Sequence, residues 1–103
     1  MPRCRITVLE RTMNRELARR YCADPDLPLC DVFHDGEEFI LETCDPHPGF
    51  CDDGWNAIRG YVFAFLNGGR ALYDGWMKNP DQFIACCNDA ARPVVFLLER
   101  IDG

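Results

Sequence analysis

Cysteine gives this chain most of its reactive chemistry, with seven copies among 103 residues. Three soft or borderline metal ligands lie close together in the segment Cys44-x2-His47-x3-Cys51. Such short separations keep side chains on one side of a turn, where they can wrap a single ion. Cys30 and Cys87 would add ligands from flanking loops. The five residues predict a site for zinc, iron or an iron–sulfur cluster, although no Cys-x2-Cys pair supports it.

Cys51 offers a second kind of chemistry, because it stands just before a predicted helix. The positive end of a helix dipole favours the thiolate, which is the nucleophilic form of cysteine. His34 or His47 would then serve as the base, and Arg92 would hold an anionic substrate. Asp89 would orient the base or the arginine. On this hypothesis the protein is a small cysteine-dependent enzyme that acts on an anionic metabolite.

Each of these residue types also has a structural interpretation. Free cysteines usually pack as small hydrophobic side chains, and we expect this of Cys4, Cys22 and Cys86. Asp89 and Arg92 are expected to form an ion pair that stabilises a turn. If all the cysteines are structural, the chain is a protein-interaction module and has no reactive centre.

Aromatic residues are the third candidate set. Trp55, Phe63 and Phe65 recur at helical spacing, which is typical of a hydrophobic core. Phe50 lies instead in a loop beside Cys51. We therefore expect Phe50, together with Trp55, to be the aromatic part of any substrate-binding pocket.

A helix over residues 55–66 is the element that would position Cys51. Its apolar residues share one face and are Trp55, Ile58, Val62, Phe65 and Leu66. Asp52 or Asp53 is expected to cap its first turn through the side chain. The glycine pair at 68–69 ends it, since glycine reaches the left-handed conformation that closes a helix.

Four strands are predicted from runs of β-branched and apolar residues, at 5–10, 38–42, 82–87 and 93–101. The run at 93–101 is apolar on both faces, so we place it centrally with 5–10 as its neighbour. A helix over 14–21 would be capped by Asn14 and would turn Leu17 and Tyr21 inward, and a helical turn over 71–77 would pack Trp76 inward. These elements predict a single α+β domain over 1–103, with a small, mainly antiparallel sheet packed on one central helix.

Composition restricts the partners and the location of the protein. A net charge of −6 argues against a nucleic-acid partner. No apolar stretch is long enough to span a bilayer, and the start of the chain does not resemble a signal peptide. These features predict a cytoplasmic protein without a membrane partner. A larger redox enzyme or a small anionic ligand would suit the cysteine hypotheses, and a homodimer is left open.

Several motifs together carry a family resemblance. They include Pro28-Leu29-Cys30, the Gly-Phe-Cys-x-x-x-Trp motif of residues 49–55, and the Cys-x-Asp-x-x-Arg-Pro-Val-x-Phe motif of residues 87–96. The chain resembles a small, functionally uncharacterised family found mainly in anaerobic bacteria and archaea, and it departs from the family pattern at Ala90, where a glycine is expected. The resemblance implies that Cys30, Cys51 and Cys87 recur, but it implies no activity.

Overall fold

The computed structural model describes residues 1–102. Its four strands are β1 (Pro2–Arg11), β2 (Glu38–Leu41), β3 (Gln82–Cys86) and β4 (Val94–Asp102). They form one sheet in the order β2-β1-β4-β3, and every neighbouring pair is antiparallel. The predicted α+β class with a small antiparallel sheet is confirmed.

Strand β4 is central, as its sequence predicts, because it pairs with both β1 and β3. Its burial nevertheless alternates: Val94, Phe96 and Leu98 are buried, whereas the residues between them are partly exposed. The apolar character of both faces of β4 therefore does not correspond to burial of both faces. The reason is that the long helix covers only one face of the sheet.

Helix α2 (Asp52–Leu66) is the predicted central helix. Its residues Trp55, Ile58, Val62 and Phe65 are buried against the sheet, and Gly68, with φ +88°, follows its end. The predicted capping is wrong, because Cys51 is the N-cap residue and makes no side-chain capping bond. Asp52 and Asp53 lie in the first turn, where a carboxylate stabilises the positive end of the helix.

One predicted core aromatic residue of this region is exposed, and a loop residue belongs to the core instead. Phe63 on α2 is 58% exposed, so it does not belong to the core. Phe50 is buried, and its ring centroid lies 4.8 Å from that of Phe33 and 5.7 Å from that of Phe96. The loops before α2 therefore supply core side chains, because α2 packs against β1, β3 and β4 but barely reaches β2.

Helix α1 (Arg15–Tyr21) is a short surface helix. Only Ala18 is buried, whereas Leu17 and Tyr21 are exposed, so the prediction of their inward packing is wrong. Asn14 precedes the helix but makes no side-chain cap. Its side-chain nitrogen, Nδ2, instead donates to the carbonyl oxygen of Ala90 at 2.6 Å. This bond ties the start of α1 to the β3–β4 loop.

The segment predicted as an inward-facing helical turn is the least regular part of the fold. α3 (Leu72–Gly75) is interrupted by left-handed residues, with φ of 55° at Tyr73 and 56° at Asp74. Trp76 is 61% exposed, so its predicted inward packing is wrong. Nowhere in residues 1–102 does a helix combine the length and apolar character needed to cross a membrane.

Candidate functional site

The cysteines are the first predicted site residues to locate. All seven are free thiols. Cys4 is fully buried as expected, but Cys22 is only half-buried and Cys86 is exposed, which contradicts its assignment as a buried hydrophobe. Burial raises the pKa of the Cys4 thiol to about 12, since charge is costly in the core. Cys4 is therefore a structural cysteine.

Cys30, Cys51 and Cys87 are half-buried and pack against the core. Arg11, which pairs with Val94 across β1 and β4, donates from Nη1 to the carbonyl oxygen of Cys30 at 3.1 Å. The amide of Cys87 donates to the carbonyl oxygen of Val94 at 3.1 Å. However, within residues 1–102 no group of three or more Cys, His, Asp or Glu is arranged to hold a metal ion.

The two histidines are exposed, and Cys44 lies half-buried on another part of the surface. The ring of His47 packs edge-on against Phe39 with 5.0 Å between centroids, and its Nδ1 lies 3.0 Å from the carbonyl oxygen of Pro48. Cys44 is half-buried, and its thiol points at the carbonyl oxygen of Arg59 at 3.8 Å. The amide nitrogen of His34 donates to a carboxylate oxygen of Glu37.

Asp89 and Arg92 form the predicted ion pair within the β3–β4 loop. Arg92 donates from Nε to Oδ2 of Asp89 at 3.1 Å. The other oxygen, Oδ1, accepts the backbone N–H groups of Ala91 and Arg92 at 3.0 Å each. Partial burial acts to raise the pKa of Asp89, but these three hydrogen bonds outweigh it and hold the pKa below its usual value. The carboxylate of Asp89 and the guanidinium of Arg92 are thus paired with each other within the turn.

Phe50 and Trp55, the predicted substrate-binding aromatics, are both buried. Their ring centroids lie 6.3 Å apart in an edge-on arrangement. They are part of the core and leave no aromatic surface free beside Cys51. Exposed aromatic side chains lie elsewhere, and two of them, Tyr73 and Trp76, pack beside β3 on Phe83.

A groove of about 820 Å³, which we call the aromatic groove, is open to solvent beside β3. Ala57 and Tyr61 of α2 form its floor, and residues 73–76 form one wall. Residues 83–86 of β3, followed by Asn88, form the opposite wall. The groove is therefore built from three elements that the sequence places far apart.

Three aromatic rings surround Phe83, which is itself buried and also lines the groove. Tyr73 stacks on Phe83 with an interplanar angle of 27°, and the ring centroid of Tyr61 lies 4.4 Å from that of Phe83. Trp76 meets Phe83 edge-on at 5.5 Å. Because Tyr73 and Trp76 are 67% and 61% exposed, most of their ring surface faces solvent.

The backbone that presents Tyr73 and Trp76 is strained. Ala71, Tyr73 and Asp74 all have positive φ, a conformation that costs a non-glycine residue about 1–2 kcal/mol. A backbone hydrogen bond ties this segment to the loop before β3, because the amide of Ala71 donates to the carbonyl oxygen of Pro80 at 2.8 Å. Strain of this kind is concentrated at functional sites, where the surrounding structure enforces it.

The β3 wall of the groove is an edge of the sheet. The amides of Cys87 and Arg100 donate across the β3–β4 pair, to Val94 and Asp81 respectively. Since hydrogen-bonded pairs alternate along an antiparallel ladder, these two bonds fix the phase of β3. The backbone N–H and C=O groups of Ile84 and Cys86 therefore point away from β4, toward the free edge.

Charge in the groove comes from one residue. Asp74 is the only ionisable acid or base among the described lining residues other than the tyrosines and Cys86. It has no ion-pair partner within residues 1–102. The hydroxyl oxygens of Tyr61 and Tyr73 lie 3.3 Å apart. This hydrogen bond, followed by burial, raises the pKa of Tyr61 and keeps its hydroxyl neutral.

Sequence reasoning missed the groove. The sequence predicts a helical turn here with Trp76 packed inward, and it gives Tyr73 no role. The available signal was the density of Tyr, Trp and Gly between two loop glycines and Pro80. Comparisons of the chain with protein-family models, with curated proteins and with solved structures give no match, so the family resemblance stays a prediction.

Proposed function

We propose that the protein is a non-catalytic interaction module that binds an extended segment of another polypeptide along β3. The observation that carries the proposal is that the unpaired edge of β3 forms one wall of the aromatic groove. An extended peptide can add a strand to such an edge, gaining main-chain hydrogen bonds there and side-chain contacts in an adjoining pocket. Both requirements meet at Ile84 and Cys86.

The sequence of β3 lacks the residue types that protect an edge against pairing. Exposed edges are commonly blocked by lysine, proline or a covering loop. Strand β3 contains no lysine or proline, and Ile84 is 42% exposed. An apolar side chain on an open edge favours association with another strand.

The test uses a pair of proline variants on the two edges of the sheet. Ile84→Pro removes an N–H that points away from β4, so the β3–β4 hydrogen bonds survive. Ile40→Pro is the matched control on β2: the bond from the Val8 amide to the Glu37 carbonyl shows that the Ile40 N–H also points outward. Ile40 is 47% exposed, close to the exposure of Ile84.

Peptides would be selected from a displayed random library against the natural chain, and their affinities compared across the variants. We expect Ile84→Pro to weaken binding at least about tenfold, which corresponds to the loss of roughly one or two hydrogen bonds. Ile40→Pro should leave the affinity unchanged. Equal effects of both variants, or a library that yields no binder, would overturn the proposal. Self-association abolished by Ile84→Pro would instead identify a second copy as the occupant and overturn the proposed foreign segment.

Metal or iron–sulfur cluster binding by Cys30, Cys51 and Cys87 is a second proposal. It is supported by the contacts of Cys30 and Cys87 around the Arg11–Val94 pair. It is also supported by the closeness of Cys30 to Arg92, whose pKa is raised by Asp89 first and by Cys30 to a smaller extent. Loop movement would have to gather the thiols. Stoichiometric zinc or iron in protein purified without oxygen, lost in Cys51→Ser and Cys87→Ser, is the expected result. Metal-free protein that binds no added zinc contradicts it.

Two further expectations belong to these proposals. A cytoplasmic location fits seven free thiols, because thiols persist in a reducing compartment. A Cys51-dependent enzyme for an anionic metabolite would need an anchor other than Arg92, whose guanidinium already pairs with Asp89. The enzyme hypothesis therefore draws less support from the contacts of these residues than the interaction module does.

A further inference from the structure

We infer that Tyr73, Trp76 and Asp74 form a cation cage, which recognises a basic side chain on the polypeptide bound along β3. The inference rests on the proposed function for the nature of the partner and adds the chemistry that the partner must carry. Its starting point is the combination of exposed π surface with one unpaired carboxylate at the same wall of the groove.

The rings of Tyr73 and Trp76 are nearly perpendicular and together form a corner. The ring planes of Tyr73 and Trp76 meet at 88°, with centroids 6.1 Å apart. A cation held within about 6 Å of an aromatic centroid is attracted by the negative charge on the ring face, and Trp is the strongest partner. A single ammonium or guanidinium group placed at this corner lies within reach of both rings.

The rings are fixed before any ligand arrives. Tyr73 stacks on Phe83, and its hydroxyl lies 3.3 Å from that of Tyr61. Phe83 is 2% exposed, so the base on which the corner stands belongs to the core. The left-handed backbone at Tyr73 is therefore held by contacts on its own side chain. A preformed cage loses little conformational entropy on binding.

Charge favours a cation over a neutral ligand. Asp74 lies between the two ring residues in sequence and carries the one carboxylate among the described lining residues. No arginine or lysine pairs with it within residues 1–102. The net charge of the whole chain is −6, which also attracts a basic partner over longer distances. An acidic segment would be repelled at the same place.

The probe is Nα-acetyl-Nε-trimethyllysine methylamide, with the norleucine analogue as its neutral counterpart. Binding is followed through the indole N–H resonance of Trp76, since the other tryptophan, Trp55, is buried. We expect the cation to bind roughly two- to thirtyfold more tightly than the norleucine analogue, the range of a single cation–π contact. Trp76→Leu should remove this preference. Asp74→Asn should reduce it severalfold, with less dependence on salt.

Phe63→Leu is the matched control, because Phe63 is a comparably exposed aromatic residue of α2 that lies outside the groove. Its substitution should change neither the affinity for the trimethyllysine probe nor the affinity for the norleucine analogue. Binding to this variant is read from the Trp76 resonance. Equal affinity of the natural chain for the cation and for norleucine would overturn the cage. So would a preference that survives in Trp76→Leu, read there from the Asp74 amide resonance.

Failure of the cage and failure of strand addition give different results. Ile84→Pro should leave trimethyllysine binding unchanged, because the probe needs no edge hydrogen bonds. If selected peptides bind along β3 but show no enrichment of lysine or arginine at a fixed position, the result supports strand addition and contradicts the cage. If the small cation binds but no peptide does, the result supports the cage and contradicts a polypeptide partner.

Discussion

Gly54 lies directly against Phe96, so that a Cβ added at Gly54 would be 3.4 Å from Cζ of that ring. The same added atom would be 3.3 Å from Cε1 of Phe50. The absence of a side chain on the first turn of α2 thus allows the helix to approach the sheet. Both rings are buried among other aromatic side chains, which leaves them little room to move.

Gly54→Ala and Gly60→Ala are expected to have opposite effects on stability. Alanine gains about 1 kcal/mol over glycine in a helix interior, and this gain applies at both positions. At Gly60 nothing lies within 4 Å of the added Cβ, so the free energy of unfolding should rise. At Gly54 the crowding costs about 1–3 kcal/mol and should exceed the gain. Urea unfolding of both variants checks this, and a stabilised Gly54→Ala would show that the core rings yield easily.

The strained wall of the aromatic groove gives a second matched pair, Ala71→Gly and Gly75→Ala. Ala71 has φ 51° and is exposed, so glycine should stabilise the fold by about 1 kcal/mol through relief of strain. Gly75 has φ 85°, where a side chain is disfavoured, and alanine should destabilise by a similar amount. Thermal unfolding measures both. Loss of stability in Ala71→Gly would mean that flexibility gained by the unfolded chain dominates.

The regular elements of this fold were predictable, because their patterns are local. Alternating and β-branched residues located the four strands, and the spacing from Trp55 to Phe65 gave the buried face of α2. The central place of β4 followed from its strongly apolar sequence. Even the Asp89–Arg92 ion pair was expected, since both partners belong to one short turn.

The candidate site was not predictable, because it depends on contacts between distant parts of the chain. Tyr61 and Tyr73 come together only when α2 packs beside β3. The conformations of Ala71 and Tyr73 contradict their intrinsic preferences and are enforced by packing. Likewise Phe50 and Phe33 enter the core because their loops cover the part of the sheet that α2 leaves open, which no local pattern records.

The Asp89–Arg92 turn should contribute stability that depends on pH. The pKa of Asp89 in the folded protein is below its value in the unfolded chain, because the hydrogen bonds from Arg92 and Ala91 outweigh the opposing effect of burial. The contribution is therefore fully present above the unfolded pKa and is lost as pH falls through the folded one. We expect Asp89→Asn to cost about 0.5–1 kcal/mol near neutral pH and progressively less in acid.

A double-mutant cycle with Arg92→Gln isolates the ion pair from the backbone hydrogen bonds, which an asparagine can still accept. The coupling energy from urea unfolding should be favourable near neutral pH and vanish in acid. A coupling that stays constant across the titration would mean that the pair acts through packing alone.

Alkylation of the seven thiols distinguishes the interaction module from the enzyme hypothesis. Cys86 is exposed and lines the aromatic groove, so iodoacetamide should modify it first. Cys4 is fully buried and burial raises its pKa to about 12, so it should react only after unfolding. Peptide mapping by mass spectrometry at successive times gives the order, and Cys86→Ser should lose the first modification and nothing else.

The functional conclusion depends on whether Cys86 or Cys51 reacts first. If Cys86 reacts first, its modified side chain lies beside the free edge of β3, and peptides that bind along β3 should lose affinity in step with the labelling. If Cys51 reacts before the more exposed Cys86, exposure does not explain its rate, and an activated thiolate at the start of α2 becomes the better explanation. That order of reaction would favour the nucleophilic role of Cys51 over the interaction module.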